Sequence, residues 1–221
     1  MRASVPSRQA ILDRIAGALG ETRDQTAVGS AKADASPARN YIRRGTLPRG
    51  ACVELMADRL RQYDAEVVRC SPEQLPATIA DQLEASGKRV FAAPEGIPES
   101  WRPGKFDWKI DRGLKTEEIE ETEGTVTAAF CGIADSGTIA LHHSAAEGRR
   151  LLTLLPDWHL CILKASQIVE TLPEYFDLCK GPVPLATYIS GPSATADIEM
   201  TRIKGVHGPR FLHVIIVNDA S

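Results

Sequence analysis

Between residues 45 and 95, helical stripes and short β-rich runs take turns, and this alternation constrains the fold more than any other feature. Val53, Met56, Ala57 and Leu60 recur at helical spacing, and AEVVRC (65–70) follows as a strand. Ser71-Pro72-Glu73-Gln74 reads as a capping-box start with proline in the first turn. Leu75, Ile79 and Leu83 continue that helix, Gly87 closes it, and KRVFAAP (88–94) is the next strand. Strands and helices of this length, alternating, predict an α/β fold with a largely parallel sheet covered by helices on both faces.

The second half changes character. TVTAAFCGIA (125–134) and TIALHH (138–143) read as strands joined by Asp135-Ser136-Gly137, which predicts a β-hairpin around 125–143. HLCILK (159–164), LATYIS (185–190) and FLHVIIV (211–217) are further strands expected to complete the sheet. Pro173 argues against one helix from Ser166, because a mid-helix proline costs about 3 kcal/mol. Thr171 with Glu174 offers a capped start for a helix running to about Lys180.

Ahead of this body, residues 7–20 read as a helix with Ser7 as cap, a stripe of Ile11, Leu12, Ile15 and Leu19, and Gly20 at its end. The following stretch has little large apolar content, so residues 21–44 are expected to be a flexible linker and 45–221 one α/β domain. Asp13 and the lack of a continuous apolar run argue against a signal peptide, and no run approaches the roughly 20 residues that span a bilayer. The expectation is a cytoplasmic protein. A formal net charge of −3, with no basic block interleaved with aromatics, argues against nucleic-acid binding. The five cysteines are widely spaced with no C-x-x-C pair, which argues against a disulfide framework and against a zinc or iron–sulfur site in this chain.

Two loops carry candidate chemistry. Asp135, Ser136 and Thr138 sit at the hairpin turn, where side chains reach solvent or a ligand; ordinary turn chemistry explains the same residues. Further on, Gly191-Pro192-Ser193 is expected to lead into a short helical segment near the carboxyl edge of a parallel strand. Ser193 as its cap would then offer backbone N–H groups to an anion. Asp197 and Glu199 would weigh against an anion there, and they also suit the first turns of a helix. His207, between Gly205 and Gly208-Pro209, has the pKa for acid–base work or can serve as a hydrogen-bonding surface residue. His142 and His143, adjacent on a strand, would point to opposite faces and make a poor metal pair, while His159 and His213 read as ordinary strand residues. Within the acidic run from Glu117 to Glu123, only Glu123 lies close enough to a strand to enter a site. No G-x-G-x-x-G, P-loop or G-x-S-x-G pattern occurs.

Taken together, four elements resemble one family. GIADSGTI (132–139), RLLTLLP (150–156), SGPSATADIE (190–199) and GVHGP (205–209), in that order, are similar to the signatures of the lactate utilization protein C family, also called the LUD domain family. The match runs from about residue 120 to the end; Ser136 stands where many members carry Thr, and the hydroxyl is kept. The resemblance implies a fold similar to the sugar-phosphate isomerase and CoA-transferase-like proteins. It also implies a role in bacterial oxidation of L-lactate to pyruvate alongside iron–sulfur partner proteins. No cofactor is expected in this chain, and iron–sulfur clusters are expected in the partners. The ligand implied is a small carboxylate such as lactate or pyruvate. Carried over by motif, Asp135, Asp197, Glu199 and His207 are the candidate catalytic groups. Ser136, Gly137, Thr138, Arg150, Ser190, Gly191, Ser193, Thr195 and Gly208 are the candidate binding residues, with Arg150 facing the carboxylate. Two other readings stay open. One is a free-standing enzyme of CoA-transferase or sugar-phosphate isomerase type using Glu123, Asp135 or Glu199; the other is a non-catalytic interaction module.

Overall fold

Six parallel strands organise the chain in the computed structural model, which describes residues 8–18, 41–179, 181, 185–195, 203–204 and 208–219. The chain separates into two compact units, Met1–Tyr41 and Ile42–Ser221. In the first, α1 spans Arg8–Ala18; its expected cap Ser7 and closing Gly20 lie outside the described residues.

In the second unit the strands β1 (Glu66–Cys70), β2 (Val90–Pro94), β3 (Asp107–Asp111), β4 (Gly124–Ala128), β7 (Trp158–Lys164) and β12 (Phe211–Val217) form the large sheet. Their order is β1-β12-β7-β4-β2-β3, and every pair is parallel. Central strands buried on both faces must be apolar almost throughout, as HLCIL and LHVIIV are. On one face, Leu160, Ile162, Ile215 and Val217 pack with Leu75, Ile79 and Leu83 of α3 (Leu75–Ala85). On the other, Cys161, Leu163, Val214 and Ile216 pack with Val53, Met56 and Leu60 of α2 (Arg49–Gln62). Each fully buried aliphatic contributes about 1.5–3 kcal/mol, which outweighs the missing side-chain cap of α2.

The second face is not covered by helices alone. A four-stranded sheet lies against it, with order β8-β5-β6-β9: Ile168–Val169, Cys131–Ile133, Thr138–Leu141 and Thr187–Ile189. Ile139 and Leu141 face the large sheet. The opposite side of the small sheet carries Cys131, Ile133 and Ala140 against Tyr175 of α5 (Leu172–Leu178). A short helix α4 (Thr116–Glu120) precedes β4, and β10 (Ala194–Thr195) pairs antiparallel with β11 (Ile203–Lys204).

Several expectations need correction. The run 125–134 is two strands, because Ala129 N donates to Ile162 O while Phe130 N donates to Ala140 O. Hydrogen bonding passes from one sheet to the other across that single peptide unit, so the hairpin proper is β5–β6. LATYIS joins the small sheet, not the large one. The 71–74 box forms a turn before the helix: Gln74 Oε1 accepts from Ser71 N at 3.1 Å, and α3 begins at Leu75. Strand β3, whose Trp108 and Ile110 alternate with charged residues, was missed. In α5 the Thr171–Glu174 start is as expected, with Glu174 Oε2 accepting from Thr171 N at 2.8 Å, and the helix stops at Leu178. No helix among the described residues is long and apolar enough to cross a membrane.

Candidate functional site

The β5–β6 turn is fixed before any ligand is considered. Ala134 N and Asp135 N donate to Val169 O and Glu170 O at 2.9 and 3.0 Å, and Gly137 N closes the turn on Ala134 O at 3.2 Å. Gly137 has φ +62°, and a Cβ there would stand 2.6 Å from Arg59 Cβ, so the turn is pressed onto α2. The β6–β9 register pairs Ile139 with Ile189, which sets Thr138 opposite Ser190. Ser136 Oγ, Thr138 Oγ1 and Ser190 Oγ form a chain with both links at 2.7 Å. Three hydroxyls hold three protons and two links use two, so one donor and several lone pairs are left for a ligand.

The two Gly-Pro steps also meet. Gly191 has φ +94°, with the Cβ position only 2.5 Å from Tyr63 Cβ, so the chain must pass there without a side chain. Ser193 N then donates to Pro209 O at 2.8 Å, and the Gly208 Cβ position lies 3.6 Å from Ser193 Cβ. Ala194–Thr195 is a strand, not the first turn of a helix. The Ser193-capped helical anion site therefore does not form: a strand follows Ser193, and the Ser193 N–H is bonded to Pro209 O. Nor does the loop stand at the carboxyl edge of a parallel strand: β9 is in the small sheet.

Two cavities flank β9 and share Ser190 and Tyr188. The first, about 410 Å³, is lined by Asp135, Ser136, Thr138 and Ser190 together with Leu172, Phe176 and Tyr188. The second, about 220 Å³, is bordered by Arg150, His159, Ser190, Gly191, Ser193 and Gly208. Thus Asp135, Ser136 and Thr138 come together with Ser190, and Arg150 and Ser190 both border the second cavity. Gly137 borders neither cavity, and its role is in the turn. Thr195 lies in β10 and borders neither. Asp197, Glu199 and His207 lie outside the described residues.

His159 is a strand residue, as expected, yet it also borders the smaller cavity. Its Nε2 lies 2.8 Å from Thr127 Oγ1, its Nδ1 has no partner among the described residues, and burial pushes its pKa down to about 4, so the ring is neutral. The signal was legible: a histidine inside a strand that must be buried on both faces. His142 and His143 are not on a strand, since β6 ends at Leu141 and His143 has φ +58°. His143 Nδ1 donates to Gly148 O at 2.8 Å, and its Nε2 lies 2.9 Å from Thr187 Oγ1.

Glu123 is occupied structurally. Its Oε2 accepts from Arg89 N and Val90 N at 2.7 and 3.0 Å, and those bonds hold its carboxyl below the ordinary range. At the carboxyl ends of β2 and β3, Arg149 grips Asp111 with two bonds of 2.7 Å. Burial works to raise the Asp111 carboxyl, but hydrogen bonds from Arg149, Gly113 N and Leu114 N outweigh it and leave the pKa lowered. This pair was missed, because its partners are separated by β4 and the small-sheet hairpin. Cys52, Cys70, Cys131 and Cys161 are buried free thiols, with Cys131 and Cys161 pushed up to about 12 by burial. Among the described residues no three metal-ligating side chains cluster.

Comparison with known proteins gives a consistent picture. The LUD domain family model matches residues 53–217. Lactate utilization protein C of Deinococcus radiodurans is 39% identical over 176 residues, covering 77% of this chain and 82% of that protein. Lactate utilization protein C of Bacillus velezensis is 27% identical over 246 residues and 99% of both chains. The crystal structure of a DUF162 family protein from Deinococcus radiodurans superposes with a TM-score of 0.64 at 32% identity, covering 78% of this chain and 99% of that one.

Proposed function

The chain belongs to the LUD domain family, and on that premise we propose that it serves lactate utilization as a component of the system oxidising L-lactate to pyruvate. It binds the small carboxylate at the ridge formed by Ser190 and works alongside iron–sulfur partner proteins. The observation that carries this reading is the convergence, through Ser190, of the hairpin hydroxyls and the Gly-Pro loops on a cavity bordered by Arg150. A 2-hydroxy acid needs a cation for its carboxylate and a hydrogen-bonding partner for its hydroxyl, and Arg150 with the Ser136–Thr138–Ser190 chain supplies both types. The buried thiols, held protonated, support assigning the electron-carrying clusters to partners.

The test is calorimetric titration of the full chain with L-lactate and with pyruvate. Saturable binding, weakened about tenfold or more in Arg150→Gln and in Ser190→Ala, is the expected outcome. Equal binding in both variants removes the pocket, and normal lactate growth after clean deletion, with no paralogue, removes the pathway.

A further inference from the structure

A line of hydrogen-bonded side chains runs from the half-buried His142 to the ridge between the two cavities. His142 Nε2 lies 2.8 Å from Tyr175 Oη, and Tyr175 Oη lies 3.0 Å from Tyr188 Oη. Tyr175 is wholly buried beneath the small sheet, whereas Tyr188 is 49% exposed and borders both cavities. The far end is clamped: the His142 ring stacks on Phe130 at 3.7 Å, and its backbone N–H donates to Glu147.

Each hydroxyl has one proton, so the direction of one link fixes the next. When His142 Nε2 carries hydrogen, it donates to Tyr175, Tyr175 donates to Tyr188, and the Tyr188 proton is left for the cavity. When Nε2 is bare, Tyr175 donates to it, Tyr188 donates to Tyr175, and Tyr188 offers only lone pairs. An imidazolium permits only the first arrangement. The intermediate Tyr175 must stay neutral for the direction to pass along, and burial first, then its hydrogen bonds, push its pKa well above the ordinary value.

We infer that Tyr188 is a ligand-contacting residue for the carboxylate. His142, acting through Tyr175, is a positioning residue that sets whether Tyr188 donates or accepts. This rests on the small-carboxylate reading of the same site. Carboxylate binding therefore favours hydrogen on Nε2 and excludes the neutral Nδ1–H tautomer; this raises the His142 pKa and, near that pKa, draws a proton onto the ring from solvent. The groups facing His142 are Tyr175, Glu147 and His143; burial and His143 disfavour its protonation, and Glu147 favours it. Affinity for the carboxylate falls as pH rises through the His142 pKa, which lies below the ordinary histidine value.

Titration of L-lactate and pyruvate into the full chain, from pH 5 to 8 in buffers of different ionisation heat, reads the linkage. Expected is proton uptake on binding and affinity about three- to tenfold weaker at pH 8 than at pH 5. His142→Gln abolishes the uptake. Tyr175→Phe abolishes it too, although His142 still titrates. Histidine NMR without ligand supplies a second arm: Tyr188→Phe shifts the His142 titration in the free protein, which a merely structural Tyr188 would not do. Lactate binding without proton uptake overturns the inference and leaves the carboxylate site standing. Absence of binding at every pH overturns that site and the ligand named here. An unchanged His142 titration in Tyr188→Phe overturns the link between the two residues.

Discussion

Replacing Gly137 by alanine asks whether the hairpin turn is held by its backbone conformation alone or by contact with α2 as well. The φ of +62° costs an L-residue about 1–2 kcal/mol. A methyl at that position also meets Arg59 Cβ at 2.6 Å and the Arg59 carbonyl carbon at 3.1 Å. Neither is the yielding end of a side chain, so helix or turn must move, at about 1–3 kcal/mol for an overpacked contact. The sum is about 2–5 kcal/mol, which lowers the midpoint of thermal unfolding by about 4–20 °C for a domain of this size. Gly87 supplies the control: its φ is +69°, nearly the same, and nothing lies within 4 Å of its Cβ position. Gly87→Ala therefore reports the conformational cost by itself. Urea and thermal unfolding of both variants yield the difference, which should be at least about 1 kcal/mol. Equal destabilisation by the two substitutions would refute the claim that the turn is pressed onto the helix.

Thr138→Val keeps shape and removes both links of the hydroxyl chain. Because Ser136 and Ser190 are exposed and water replaces part of the loss, stability should fall by only about 1 kcal/mol, while lactate affinity falls more than stability does; chemical denaturation and calorimetry separate the two. For His159 the folded pKa is depressed to about 4, so between there and about 6.5 the unfolded chain binds the extra proton. Its contribution is complete above the unfolded pKa and is lost as pH falls towards 4. At about 1.4 kcal/mol per pH unit this amounts to about 3 kcal/mol. Urea midpoints from pH 7 to 4 should show that loss and His159→Gln should lack it. The lowered Asp111 carboxyl contributes stability above its unfolded pKa, and the contribution disappears as pH falls through the lower folded value. Arg149→Gln leaves the Asp111 side chain, 3% exposed, with backbone donors only; a loss of about 1–2 kcal/mol at pH 7, discounted for Arg149 being half in solvent, is expected in denaturant unfolding.

Periodicity carried the parallel sheet because buried central strands leave no choice of residue: HLCILK and FLHVIIV are strands in the structure as in the sequence. It failed where a strand changes partner. Nothing in TVTAAFCGIA marks Ala129–Phe130 as the crossing point, since both halves are buried and both are β-prone. Only the competition between β7 and β6 for adjacent N–H groups decides it. The same limit applies to the site. Residues of one turn, such as Ser136 and Thr138, could be grouped from sequence, but the Thr138–Ser190 bond spans 52 positions and depends on the β6–β9 register. His142, Tyr175 and Tyr188 come from three separate elements, and no spacing rule links them.

The position proposed for the ligand follows from how charge is distributed around one loop. In an open parallel sheet the usual position is beyond the carboxyl ends of the strands, and a cavity of about 460 Å³ does lie there, beside Pro94 and Asp111. Its cation, Arg149, is committed: two bonds go to Asp111 and one to Leu114 O, all at 2.7 Å. An anion arriving there meets a neutralised pair. The next residue, Arg150, borders the other cavity, where His159 and Leu212 stand near the amino ends of β7 and β12. That end is open to a ligand because the small sheet, created by the crossing at Ala129–Phe130, brings Ser190 and Tyr188 alongside it. Two adjacent arginines thus stand at opposite ends of the sheet, one paired with Asp111 and one that, in the proposed function, meets a carboxylate. On the proposed function, the end of the sheet that takes the ligand is set by the strand that leaves it, not by the rule for strands that stay.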